Sequence, residues 1–209
     1  MKDDTYKTIR APVTGLYKDK GSKFIALAHP ADNEEMAREI LDAIKKQYHD
    51  ARHHCYAWVF GPDQSVYRYN DDGEPSGTAG RPIHGQILSA GLTDVLVVVV
   101  RYFGGTKLGV RGLINAYKGA TKEALDNAGL VTRIMEDHFE IRFEYPLMND
   151  VMRLIKEFEL DQRGQEFELS CRLVVPVRQS ISDQVWSAFE NLHGVRIRKL
   201  EQGESRQKP

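Results

Sequence analysis

Apolar positions along this chain switch repeatedly between a period of two and a period near 3.6, so interleaved strands and helices are expected. Phe24, Ala26 and Ala28 alternate as a strand does. Asp32 then stands where a carboxylate caps a helix, Glu35 completes a capping-box spacing, and Met36, Ile40, Leu41, Ile44 and Tyr48 share one helical face. His54 to Phe60 and Val66 to Tyr69 predict a hairpin, because Gly61-Pro62-Asp63 joins a fixed φ to a residue that tolerates positive φ. Asn70 to Gly80 is loop by composition. Pro82 suits the opening of a short helix and Gly91 its end. Val95 to Tyr102 then predicts a strand covered on at least one face, and a glycine-rich turn leads into a long helix ending at Gly129.

The pattern restarts at His138. Phe139, Ile141, Phe143 and Tyr145 alternate, and Leu147, Val151, Leu154, Ile155 and Phe158 take helical spacing. A short strand near Asp161 to Gln165 follows, and Phe167, Leu169, Cys171, Leu173 and Val175 alternate again. Val185, Trp186, Phe189 and Leu192 then precede a strand at Val195 to Leu200. The order βαββαβ is the ferredoxin-like signature. The fold class is therefore α+β in two domains, residues 1–135 and 136–203, with a tail at 204–209 and a seam at Arg133 to Asp137.

With 41% hydrophobic and 28% charged residues the chain is apolar enough for a packed core. The polar start and the shortness of the longest aliphatic run, Val95 to Val100, argue against a membrane segment. Two cysteines 116 positions apart, Cys55 and Cys171, suit a reducing compartment, and a cytoplasmic location is expected. Charge is segregated. Arg81 to Arg133 holds seven basic residues against three acidic ones, a net +4, so the remainder carries −5 of the total −1.

The turn Gly104-Gly105-Thr106-Lys107-Leu108-Gly109 lies between strand and helix, where open N–H groups favour an anion, although a tight turn needing positive φ explains the same letters. Its order fits neither a Walker loop nor a dinucleotide fingerprint. Arg111, Asn115, Lys118 and Lys122 form one helical stripe, able to track phosphates with Lys107 or to serve as a solvated face. His54, Tyr56, Trp58 and Phe60 share one side of their strand, either a base-stacking platform or core, and Tyr67 and Tyr69 share a face on the next strand. Asp71, Asp72 and Glu74 crowd three carboxylates into four positions, suited to a hard cation or to a turn. His53, His54 and Cys55 are adjacent in a strand and point apart, poor geometry for zinc or for a Cys-His nucleophile. Motifs for a serine elbow or a zinc protease are not found, which favours binding over catalysis.

Three long stretches, Ala51-Arg52-His53-His54-Cys55-Tyr56-Ala57, Asp71 to Pro82 (DDGEPSGTAGRP) and Arg101 to Gly109 (RYFGGTKLG), together resemble the IMPACT family in its bacterial, YigZ/YvyE type. The resemblance covers about the first 130 residues, and the second domain is similar to the small module that follows in bacterial members. It implies a first domain with the left-handed βαβ fold of EF-G domain IV and a second like EF-G domains III and V, shapes that face the ribosome. Eukaryotic relatives restrain a stress-activated initiation-factor kinase by competing for its coactivator, but carry an additional N-terminal RWD domain, which is not expected within these 209 residues. Arg111 stands where the family commonly has glycine, Asn115 where it has arginine, and His84 where it has an apolar residue.

The resulting expectation is a translation-linked regulator binding RNA or the ribosome through Arg101, Lys107, Arg111, Lys118, Gly104 and Gly105, with Tyr56 and Trp58 stacking on bases and no cofactor. The alternatives are a protein-binding regulator without nucleic acid, and a metal-dependent hydrolase using Asp71, Asp72 and Glu74 with His53 nearby.

Overall fold

The computed structural model describes residues 4–167 and 170–201. The chain divides into two compact units: Tyr6–Arg133, and the segment through Thr5 together with Ile134 onward. The expected position of Leu169 in its strand, and the tail at 204–209, lie outside the described residues. Among the described residues no helix is long and apolar enough to cross a membrane.

In the first unit, β1 (Thr5–Ile9) pairs with β7 (Leu130–Ile134) as a two-stranded sheet. The remaining strands are β2 (Val13–Asp19), β3 (Ser22–Pro30), β4 (His53–Phe60), β5 (Val66–Asn70) and β6 (Val95–Tyr102). They form a five-stranded antiparallel sheet in the order β2-β3-β6-β4-β5. Because β3 and β4 both run antiparallel to β6 between them, they are parallel to each other, and the helix α1 (Glu34–Gln47) crosses from one to the other. The helix α2 (Gly80–Ser89) likewise joins β5 to β6 across β4.

Helices cover both faces of this sheet. α2 and α3 (Gly109–Asp126) pack on Phe24, Ala26, Ala28, Cys55, Ala57, Val59 and the odd-numbered valines of β6. α1 packs on the opposite face, against Leu27, Tyr56, Trp58, Phe60, Leu96, Val98 and Val100. A strand covered on both sides needs apolar residues at every position, and Val95 to Val100 are all fully buried. This layering overturns the stacking-platform expectation: Tyr56 and Trp58 are 8% and 3% exposed, beneath α1, where no base can reach them.

The N-cap of α1 is Asn33 rather than the expected Asp32. Asn33 has extended backbone angles and its Oδ1 accepts the Met36 N–H at 2.8 Å, while Asp32 accepts from Asn33 Nδ2 and orients it. Glu34 and Glu35 open the helix and Lys45 and Lys46 close it, in line with the helix dipole. Met36, placed on the apolar face by periodicity, is exposed.

The second unit contains β8 (Glu136–Glu144), α4 (Met148–Glu157), β9 (Arg163–Phe167), β10 (Ser170–Arg178), α5 (Ser182–Glu190) and β11 (Arg196–Leu200). The sheet order β11-β8-β10-β9 puts the first and third strands at the centre, the ferredoxin-like arrangement. Phe139, Ile141, Phe143, Leu173 and Val175 face α4 and α5. Asp4 is held within this unit by a two-pronged contact from Arg178, at 2.7 and 3.0 Å, which keeps its carboxyl well below the usual range.

Candidate functional site

The acidic loop between β5 and α2 is organised by its own carboxylates. Asp71 Oδ1 accepts the Ala79 and Gly80 N–H groups at 2.9 and 2.8 Å, and its Oδ2 accepts Gly77 N–H at 2.8 Å. This satisfies the start of α2, whose N-cap Ala79 has no side chain to do so. Asp72 Oδ2 accepts His54 N–H at 2.6 Å, while His53 Nδ1 lies 2.8 Å from the Asp72 carbonyl. Glu74 turns inward instead. The three carboxylates thus point to three different tasks, and among the described residues no group of three or more His, Cys, Asp or Glu is arranged to hold a metal. The metal-loop expectation for Asp71, Asp72 and Glu74 is therefore corrected to a structural role.

Glu74 Oε1 accepts from Arg101 Nη1 at 2.6 Å and from the Tyr117 hydroxyl at 2.9 Å. Tyr117 Oη lies 3.2 Å from Cys55 Sγ, and that thiol donates to the Asp71 carbonyl at 3.0 Å. Strand β4, the acidic loop, the end of β6 and α3 are thereby tied into one buried polar network. Burial pushes the Cys55 thiol well above its ordinary range, and burial together with Cys55 and Glu74 does the same to the Tyr117 phenol, so neither is ionised at neutral pH. A thiol held protonated is a poor nucleophile.

Arg101 belongs to this network and not to the surface. Its side chain is 8% exposed, its guanidinium lies over the rings of Phe24 and Phe103 at 5.5 and 5.7 Å, and its Nε is buried without a hydrogen-bond partner. The expectation that Arg101 contacts phosphate is corrected: Glu74 already neutralises it.

The glycine turn serves geometry at two positions. A Cβ on Gly104 would lie 1.9 Å from the Gly21 carbonyl carbon, so only glycine lets this turn pack on the β2–β3 turn, where Gly104 N–H also donates to Ser22 Oγ at 3.1 Å. Gly105 has φ +86°. Beyond it α3 begins with neither a side-chain cap nor an acid in its first turn. Lys107, Arg111, Asn115, Lys118 and Lys122 are all exposed. The four on α3 lie within about 60° of helical arc, opposite the buried face of Leu113, Ala116, Tyr117, Ala120 and Ala124. Lys122 is paired with Asp126, whereas Lys107, Arg111 and Lys118 make no ion pair among the described residues.

The family model for the Impact N-terminal domain matches residues 20–125. The chain belongs to the IMPACT family. It is similar to the IMPACT family member YigZ of Escherichia coli, 37% identical over 69% of this chain and 72% of that one. It is also similar to an IMPACT family member of Haemophilus influenzae, 32% identical over 82% of each chain. A crystal structure described as that of a hypothetical protein, 28% identical, superposes with a TM-score of 0.72 over 95% of this chain and 98% of the other. The IMPACT-matched stretch contains the whole buried network, Cys55, Glu74, Arg101 and Tyr117, together with the glycine turn and the stripe on α3.

Sequence reasoning did not single out Tyr117, whose hydroxyl links Cys55 to Glu74. It also missed a ring cluster in this IMPACT chain, in which exposed Tyr67 stacks on half-buried His84 at 4.5 Å and on exposed Tyr69 at 6.4 Å. The shared face of Tyr67 and Tyr69 was the local signal; the partner on α2 lay 15 or more residues away.

Proposed function

We propose that this IMPACT-family chain is a translation-associated regulator that docks on RNA, free or within the ribosome, through Lys107, Arg111 and Lys118. The observation that carries the reading is the contrast between cations. Arg101 is buried on Glu74, while the three that lead away from the glycine turn are exposed and lack a carboxylate partner among the described residues. The uncapped, acid-free start of α3 adds the positive end of a helix to the same region. Family membership supports the link to translation, and that role would be exercised in the cytoplasm.

Contact with about three phosphates of a single strand gives a log-log salt slope of roughly −2. Filter binding of a single-stranded RNA oligonucleotide across a salt series tests this: Lys107→Glu should weaken binding and flatten the slope. Affinity indifferent to salt, or unchanged in Lys107→Glu, contradicts the reading. A second reading, a regulator that binds protein alone, is favoured by Phe103 and Val110, which flank the turn at 58% and 60% exposure. Partner capture that survives nuclease and is lost in Val110→Asp would select it.

A further inference from the structure

We infer that the part of the second unit's sheet turned away from α4 and α5 that carries the row Arg196, Arg142 and Arg172 is a separate docking surface for the phosphodiester backbone of RNA. Arg196 and Arg142 are exposed and Arg172 is half-buried, whereas Val174 and Pro176 on the same side are buried. Side chains alternate across a strand, so with Phe139, Ile141 and Phe143 facing the helices, Glu140 and Arg142 of β8 point to the other side. In the observed register Arg142 lies opposite Arg196 of β11 on one flank and opposite Arg172 of β10 on the other. Three guanidinium-bearing positions therefore stand side by side across about 10 Å, two strand spacings. Like charges directly opposite each other destabilise a sheet. A row of three is a feature that folding alone does not favour.

One buried carboxylate offsets part of that repulsion and positions the row. Glu140, 4% exposed, accepts Arg142 Nε at 2.9 Å and Arg172 Nε at 2.6 Å, and Arg198 Nε lies 3.6 Å away. Burial works to raise the Glu140 pKa, but these hydrogen bonds outweigh it and hold the group below its ordinary value, so it remains an anion. Glu166 takes the second contact of Arg172, at 3.5 Å. Arg196 makes no ion pair among the described residues; Glu144, which lines the shallow cavity beside it, does not pair with it either.

Glu140 engages Arg142 through Nε and leaves its terminal amino groups for another acceptor. That edge of a guanidinium fits a phosphate in two-pronged fashion, and an arginine already fixed by a buried partner loses less freedom on binding. Evenly spaced cations in a row match the repeated single charges of a nucleic-acid backbone better than they match one isolated anion.

This inference rests on the reading that the ligand is RNA, but it uses residues of the other unit, so the two are separable. The test is the salt slope of single-stranded RNA binding by the full chain carrying Arg196→Ser, Arg196→Ser with Arg142→Ser, or Lys107→Glu with Lys118→Glu. Losing one or two phosphate contacts should reduce the slope by about 0.7 or 1.4. Arg196→Ser should leave the thermal midpoint unchanged or raised, because it removes only repulsion; it also keeps the test readable if the double variant unfolds. Unchanged slope and affinity in the arginine variants, with a clear loss in the lysine variant, overturns this surface and leaves the proposed function standing. The reverse outcome keeps the arginine row and overturns the α3 surface, and a parent chain that binds no RNA overturns both.

Discussion

Removing the charge of Glu74 is the sharpest test of the network that the family motifs build. Glu74→Gln keeps size, shape and a hydrogen-bond acceptor for Tyr117, but leaves the Arg101 guanidinium buried without an anion. With side chains only 3% and 8% exposed, solvent screens the pair little. Breaking such a pair from one side costs roughly 3–5 kcal/mol, most of it the penalty of a stranded charge. Neutralising both, as Glu74→Gln with Arg101→Gln, should therefore restore part of the loss, and the double-mutant cycle measures the coupling. The chain has two tryptophans, Trp58 in the first unit and Trp186 in the second, so a Trp186→Phe background lets fluorescence report the first unit alone during urea unfolding. A Glu74→Gln loss below about 1 kcal/mol, or a double variant as unstable as the sum of its parts, refutes the assignment.

The second unit should lose stability in acid. Glu140 and Asp137 both lie below their ordinary values of 4.5 and 3.8, because hydrogen bonds from Arg172 and Arg142 in one case, and from Ser182 and Lys199 in the other, outweigh burial. Depressed carboxylates stabilise the fold fully above those ordinary values and lose that contribution as pH falls through the lower folded ones. Trp186 fluorescence should thus show similar thermal midpoints at pH 7 and 6 and a falling midpoint below pH about 4; equal midpoints at pH 6 and 3 contradict this. Trp58→Ala should destabilise the first unit by about 3–5 kcal/mol, as expected for a large core ring, while folded protein retains its RNA salt slope. A changed slope with unchanged stability would return Trp58 to the surface role that its burial denies.

Local periodicity carried much of the fold into the sequence. The helical stripe of Arg111, Asn115, Lys118 and Lys122 was legible because its neighbours lie three and four residues apart, and the ferredoxin-like order was legible from alternation in β8 and β10 and the helical spacing around them. What escaped depends on distant partners. β1, β2 and β7 are short or weakly alternating, and β1 is defined by pairing with a strand more than 100 residues later. An aromatic side of β4 is consistent with either an open platform or a core, and only the packing of α1 decides between them. Arg101 at the end of an apolar strand looks like a free cation until Glu74, 27 positions earlier, is seen to reach it. The acidic triplet looked like a cation site because sequence does not show where each carboxylate points.

Lysine reactivity on the ribosome addresses the proposed contact without relying on a variant. Lys107 and Lys118 are exposed, as are Lys45 and Lys46 on α1, across the sheet from α3. Acetylation mapped by mass spectrometry, with and without purified ribosomes, should show protection of Lys107 and Lys118 while Lys45 and Lys46 stay reactive. Equal labelling of all four lysines in the two conditions, or protection confined to the α1 pair, would contradict RNA docking through the α3 face.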